Sequence, residues 1–146
     1  MTNRIYINTD GGSRGNPGPA AIGVVFCDEK EGIIHKYKES IGAATNNEAE
    51  YTAIIRALDI LSKSKWLKEN GNDKAEVHCR LDSQLVTEQI TGGYRVKQEH
   101  LQILNTELKK LINDLKIKIF FHHIPRRENK LADALVNEAL DQLKSE

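Results

Sequence analysis

The 146 residues include 21 basic and 21 acidic side chains, so the formal net charge is zero, and 39% of the chain is hydrophobic. That balance suits a folded chain rather than a disordered one, the length suits one sizeable core, and no apolar run is long enough to span a membrane. A neutral chain is also not held on nucleic acid by gross charge alone, although local basic patches are not excluded. The two cysteines, Cys27 and Cys79, each lie in a strand-like run, and there is no secretory apolar segment at the N-terminus. Two buried thiols suit a reducing compartment, so a single domain over 1–146 and a cytoplasmic location are expected.

Arg4-Ile5-Tyr6-Ile7-Asn8 alternates apolar and polar residues, as a strand does, and is expected to end on Asp10. Gly11, Gly12, Gly15 and Gly18, with Pro17, then predict tight turns and a close approach of another backbone. Ala20–Cys27 is a near-continuous apolar run, expected as a central strand. Asp28–Gly32 reads as a charged hairpin turn, and Ile33–Ile41 as a more polar strand returning antiparallel.

Thr45-Asn46-Asn47-Glu48 opens a helix expected to reach about Ser64, with Thr45 and Glu48 at capping-box spacing. Ala53, Ile54, Ala57, Leu58 and Leu61 form its apolar stripe; Glu50 extends that stripe backwards and Glu48 does not. Lys65–Lys74 is read as a polar loop. Ala75–Leu81 is a fourth strand, with Asp82 on the parity opposite to Val77, Cys79 and Leu81. A short helix over Ser83–Ile90 is stopped by Thr91-Gly92-Gly93. Gln98–Asn113 predicts a helix with Leu101, Leu104, Leu108, Leu111 and Ile112 inward. Lys116–His122 predicts a fifth strand ended by Pro125, and Glu128–Leu143 a last helix with Ala132, Leu135, Val136, Ala139 and Leu143 as its stripe. The order βββαβααβα predicts an α/β protein with a mixed sheet and helices on its faces.

Four acids stand out by position: Asp10 and Asp82 at strand ends, Glu50 on a buried helix stripe, and Asp133 in the first turns of the last helix. Individually, Asp10 can cap a turn and Asp133 can complement a helix dipole. Glu50 is harder to explain, because a carboxylate on an apolar face is costly unless paired or bound to a cation. Four carboxylates converging on one sheet edge require a counterion, and an all-oxygen set suits Mg²⁺ or Mn²⁺. Two such ions, roughly 3.5–4 Å apart, form the arrangement used for in-line phosphoryl chemistry.

Thr9-Asp10-Gly11-Gly12-Ser13, Gly15-Asn16-Pro17-Gly18-Pro19, Thr45-Asn46-Asn47-x-x-Glu50, Leu81-Asp82-Ser83-Gln84 and Asn129-x-x-Ala132-Asp133-Ala134-Leu135, in that order, resemble type 1 ribonuclease H. The resemblance spans nearly the whole chain. It implies the ribonuclease H fold, an α/β fold whose five-stranded mixed sheet has the order 3-2-1-4-5 and is flanked by helices. The implied activity is that of an endoribonuclease that hydrolyses the RNA strand of an RNA–DNA hybrid to 5′-phosphate products, with two Mg²⁺ ions per site and Mn²⁺ as a substitute. By the same resemblance, Asp10, Glu50, Asp82 and Asp133 hold the metals, Thr45 grips a DNA phosphate, and Asn16, Asn46, Asn47 and Gln84 contact the hybrid minor groove. A hybrid shows its 2′-hydroxyls in a wide, shallow groove where amides can donate and accept, although turn and cap duty is the plainer use of these amides.

The chain departs from many family members in two places. Between the third and fourth acids it has only Thr91–Lys97 where a basic protrusion is often found, so it resembles the short form. Hybrid binding is then expected to be weaker, or to rely on Arg14, Arg95, Lys97, Arg126, Arg127 and Lys130. In the loop before the last helix, Arg126 is expected to take an auxiliary catalytic role, in preference to His123, which sits beside the apolar end of a strand. The partner expected is an RNA–DNA hybrid, with no membrane and a monomeric chain. The alternatives are a nuclease of the same fold with another duplex preference, such as double-stranded RNA, and an inactive hybrid-binding module.

Overall fold

The structure, a computed structural model that describes residues 3–144, is built on one sheet of five strands in the order β3-β2-β1-β4-β5. The strands are β1 (Asn3–Ser13), β2 (Gly18–Cys27), β3 (Ile33–Ala44), β4 (Ala75–Leu81) and β5 (Lys118–His123). The helices are α1 (Asn46–Ser62), α2 (Lys65–Asn70), α3 (Gln84–Thr91), α4 (Glu99–Leu115) and α5 (Lys130–Lys144). β2 pairs antiparallel with both β1 and β3, whereas β4 pairs parallel with both β1 and β5. This is the expected mixed sheet and strand order.

Alternation along the strands sends apolar side chains to two cores. Ile5 and Ile7 of β1, Val24 and Phe26 of β2, and Val77, Cys79 and Leu81 of β4 face α1, together with buried Leu101 and Leu108 of α4. On the opposite face Ala21, Val25 and Cys27 meet Ala132, Leu135, Val136, Ala139 and Leu140 of α5. Both helices approach the sheet at glycines. A Cβ at Gly11 would collide with the backbone carbonyl of Ala49 in α1, and a Cβ at Gly23 with that of Ala132 in α5.

Several boundaries differ from expectation. β1 does not end at Asp10 but runs on to Ser13, because β2 continues to pair with it from Asp10↔Gly23 to Ser13↔Ala20. The predicted loop at 65–74 contains α2, whose N-terminus is capped by Ser64 Oγ accepting from the Leu67 N–H at 3.1 Å and whose Trp66 packs on the core. β5 starts at Lys118, since Lys116 has the left-handed φ of 55° that terminates α4. α5 begins at Lys130 rather than Glu128, because Arg126–Glu128 form a 3-10 turn. Leu140, not Leu143, completes the buried stripe of α5; Leu143 is exposed.

Candidate active site

β1 and β4 run parallel, so both deliver their C-terminal ends to the same sheet edge. Their pairing finishes at Thr9↔Leu81, and the next residues are Asp10 and Asp82. Both have the parity opposite to Thr9 and Leu81, which puts the two carboxylates on one face. The third acid comes from α1. The close seat of α1 on Gly11 brings Glu50 against β1, where the Gly11 N–H is directed at its carboxylate. The helix start is fixed by a complete capping box: Thr45 Oγ1 accepts from the Glu48 N–H at 3.1 Å and Glu48 Oε1 accepts from the Thr45 N–H at 2.8 Å. Glu48 is thereby used structurally and Glu50 is left for the cluster.

One carboxylate oxygen from each of Asp10, Glu50 and Asp82 lies within 4.8 Å of the others. Asp133, in the first turn of α5, is half-buried and lies outside that tight group, but it lines the same cavity of about 350 Å³. Burial above all, opposed by a hydrogen bond with Glu50 and aided by the charges of Asp82 and Asp133, pushes the Asp10 carboxyl up to about 7. Glu50 is pushed well up as well, by burial first and then by the charge of Asp10. Its Oε2 is buried with no hydrogen-bond partner among the described residues. An orphaned carboxylate oxygen in a cluster of all-oxygen donors is what a hard divalent cation compensates, so these residues fit such an ion.

Basic side chains border the acids. Arg126 Nη2 lies 4.0 Å from Asp133 Oδ1 and its side chain is largely exposed, so the expected auxiliary residue does face the cavity. His123 instead ends β5, paired with Leu81, and does not line the cavity. Arg14 lines the cavity too; its Nη2 donates to Asp141 Oδ1 at 2.7 Å, and its Nη1 is buried without a partner among the described residues.

The expected groove residues lie around the start of α1. Asn16 Oδ1 accepts from the Asn46 N–H at 2.9 Å, and Asn46 Oδ1 accepts from the Ser13 N–H at 2.9 Å. Both amides therefore have a structural duty that occupies their oxygens. Asn47 lines a separate groove of about 480 Å³ with Gln89, Tyr94, Arg95 and Lys97, and Gln84 is exposed on the first turn of α3. One residue at the site carries more than the sequence reading gave it. Asn129, part of the recognised pattern but assigned no role, is buried and donates to both the Thr9 carbonyl and Asp82 Oδ2. Its place in the pattern was the only signal available in the sequence.

A 3-2-1-4-5 sheet with acids at the ends of its parallel pair and a glutamate from the first helix defines the ribonuclease H-like class of α/β proteins. Residues 8–139 match the family model described as reverse transcriptase-like. Ribonuclease HI of Halobacterium salinarum is 41% identical over 141 residues, covering 94% of this chain and 65% of that protein. Ribonuclease H of Alkalilimnicola ehrlichii is 32% identical over 154 residues, covering 95% of this chain and 96% of that protein. The crystal structure of LC11-RNase H1 in complex with an RNA/DNA hybrid superposes with a TM-score of 0.87 at 43% identity, covering 95% of this chain and 98% of that one. The chain belongs to the type 1 ribonuclease H family. It spans 65% of the length of the Halobacterium protein and 36% of the length of mycobacterial relatives.

Proposed function

We propose that this chain is an endoribonuclease that hydrolyses the RNA strand of RNA–DNA hybrids with two divalent cations, Mg²⁺ in the first place and Mn²⁺ as a substitute. The observation that carries the reading is the group of carboxylate oxygens from Asp10, Glu50 and Asp82 within 4.8 Å of one another, with Glu50 Oε2 buried and unpartnered. Asp10, Glu50, Asp82 and Asp133 would hold the cations. Bound there, such a pair supplies an activated water and stabilisation of the leaving oxygen in an in-line displacement.

The remaining steps belong to the chain's own groups. Asn16 and Asn46 have spent their oxygens on backbone N–H groups, which leaves their NH₂ groups as donors toward the hybrid minor groove. Asn47 and Gln84 extend that row, and Thr45, its oxygen accepting in the capping box, keeps its hydroxyl proton for a DNA phosphate. Arg14 lines the cavity and contributes a positive charge there, and Arg126, beside Asp133, would escort the cleaved RNA end. The product end carries a 5′-phosphate. Residues 1–146 are proposed to act as one domain and a monomer. The free, buried thiols Cys27 and Cys79 are suited to a reducing compartment such as the cytoplasm.

The test is cleavage of an RNA-labelled hybrid with Mg²⁺, Mn²⁺ or EDTA, by the parent and by Asp10→Asn. Loss of a residue that merely supports a metal ligand costs about 10–100-fold, so loss of a ligand should cost more than about a hundredfold. Double-stranded RNA and double-stranded DNA serve as comparison substrates. A parent without metal-dependent cleavage, or an Asp10→Asn variant as active as the parent, refutes the proposal; a preference for double-stranded RNA refutes the substrate assignment.

A further inference from the structure

Asn129 occupies the N-cap position of α5, directly before Lys130, and is 1% exposed. An asparagine at that position ordinarily turns its side-chain oxygen onto a backbone N–H of the first helical turn. Here it does not. Its backbone carbonyl accepts the ordinary first helical bond from the Asp133 N–H, at 3.1 Å, but Asn129 Oδ1 is buried with no partner among the described residues. The side-chain amide is spent elsewhere: Nδ2 donates to the Thr9 carbonyl at 2.9 Å and to Asp82 Oδ2 at 3.1 Å. Both neighbours are acceptors, so the NH₂ group must be the one that faces them. A buried acceptor left unpaired costs free energy, which an ordinary cap would have avoided.

The residue thus joins three acid-bearing elements: β1 one residue before Asp10, the segment just past β4 at Asp82, and the first turn of α5 at Asp133. Among the described residues it makes the only side-chain hydrogen bond to the Asp82 carboxylate given by the structure. Its donor is neutral. A lysine or arginine would hold Asp82 equally well but would place a positive charge where a cation has to bind. An amide orients the carboxylate and leaves its charge, and its remaining lone pairs, for the ion.

We propose that Asn129 is a positioning residue for this site: its N–H donation to Asp82 Oδ2 fixes the carboxylate in the orientation that receives a divalent cation. The assignment rests on the metal-dependent reading above. It concerns a group that touches neither the substrate nor the reacting phosphate.

The experiment compares the full chain with Asn129→Ala and with the near-isosteric Asn129→Leu, which keeps the side-chain volume and removes the donor without adding a charge. Each is melted without metal, titrated with Mn²⁺ by thermal shift, and assayed on a labelled hybrid. In Asn129→Ala the Mn²⁺ midpoint should rise, and kcat fall, by about 10–100-fold, with KM for the hybrid within about twofold of the parent. Asn129→Leu should lose kcat to a similar extent while melting no lower than Asn129→Ala. Parental kcat in Asn129→Leu, or a parental Mn²⁺ midpoint in Asn129→Ala, overturns the proposal. A change confined to the metal-free melt, or failure of both variants to fold, overturns it as well by making the residue a structural tie. If the parent neither titrates with Mn²⁺ nor cleaves the hybrid, the active-site reading falls and takes this proposal with it. If the parent does both and the variants match it, only the role of Asn129 falls.

Discussion

Asp10 holds its proton up to about 7 because burial and the neighbouring charges of Asp82 and Asp133 all penalise its ionised form. The value in an unfolded chain is near 3.8, so the folded state binds this proton more tightly. The resulting stabilisation is fully present below the unfolded value and is lost as pH rises through about 7. Glu50, pushed up by the same causes, acts in the same direction. Other carboxylates have the opposite sign, Glu39 being held down by Arg56, so the parent's melting curve alone mixes effects. The informative quantity is the difference between Asp10→Asn and the parent in EDTA. That difference should grow in favour of Asp10→Asn from about pH 4 to about pH 8, reaching at most about 4 kcal/mol. Thermal melts across that range check it, and a flat or shrinking difference contradicts the raised carboxyl. Among the site residues, Glu50 was separable from Glu48 in the sequence because only Glu50 continues the apolar stripe, and burial is what makes its charge consequential. The work of Asn129 was not legible. Its partners are a backbone carbonyl and a carboxylate 120 and 47 positions away, and no local pattern encodes such contacts.

At the scale of elements, the site depends on how close α1 lies to β1. A methyl at Gly11 would run into the Ala49 carbonyl, so α1 would have to retreat and carry Glu50 with it. At Gly12 the nearest atom to an added Cβ is Val136 Cγ1, at 3.4 Å, a side-chain methyl that can yield. Gly11→Ala should therefore cost about 1–3 kcal/mol, and Gly12→Ala markedly less. Gly11→Ala should in addition weaken the Mn²⁺-induced rise in melting temperature, because one ligand has moved. Melts of both variants with and without Mn²⁺ check this; equal losses at the two positions would mean that the α1 contact is not limiting. The glycine run announced a close approach in the sequence, but not which backbone would approach. The same limit explains the misplaced boundaries. β1 outlasts Asp10 because β2 pairs with it, α2 forms because Trp66 finds a core to pack on, and the 3-10 turn at Arg126–Glu128 delays α5. The first two are decided by partners distant in sequence and the third by a tight turn no periodicity announces, whereas the periodic stripes of α1 and α4 were readable without either.

Over the whole molecule, neutrality and the short Thr91–Lys97 interval set how the proposed hybrid substrate would be held. The strand order followed from the family pattern; composition and periodicity reached only a mixed sheet covered by helices. The charges expected to meet a hybrid lie at two places. Arg95 and Lys97 line the groove that contains Asn47, and they make no ion pair among the described residues. Arg126, Arg127 and Lys130 lie at the start of α5, and Arg126 lines the acidic cavity. So few cations can neutralise only a few phosphates. Each phosphate contact on a duplex contributes about −0.9 to the slope of log K against log salt. Hybrid affinity of the inactive Asp10→Asn form should therefore fall with a slope of only about −2 to −4. Adding Arg95→Ala and Lys97→Ala to that form should make the slope shallower by about 1 to 2 and weaken binding at low salt more than at high salt. Fluorescence anisotropy with a labelled hybrid at several salt concentrations measures both. An unchanged slope in the double replacement would mean that the groove beside Asn47 does not carry the phosphate backbone, and that the cations at the start of α5 hold the duplex instead.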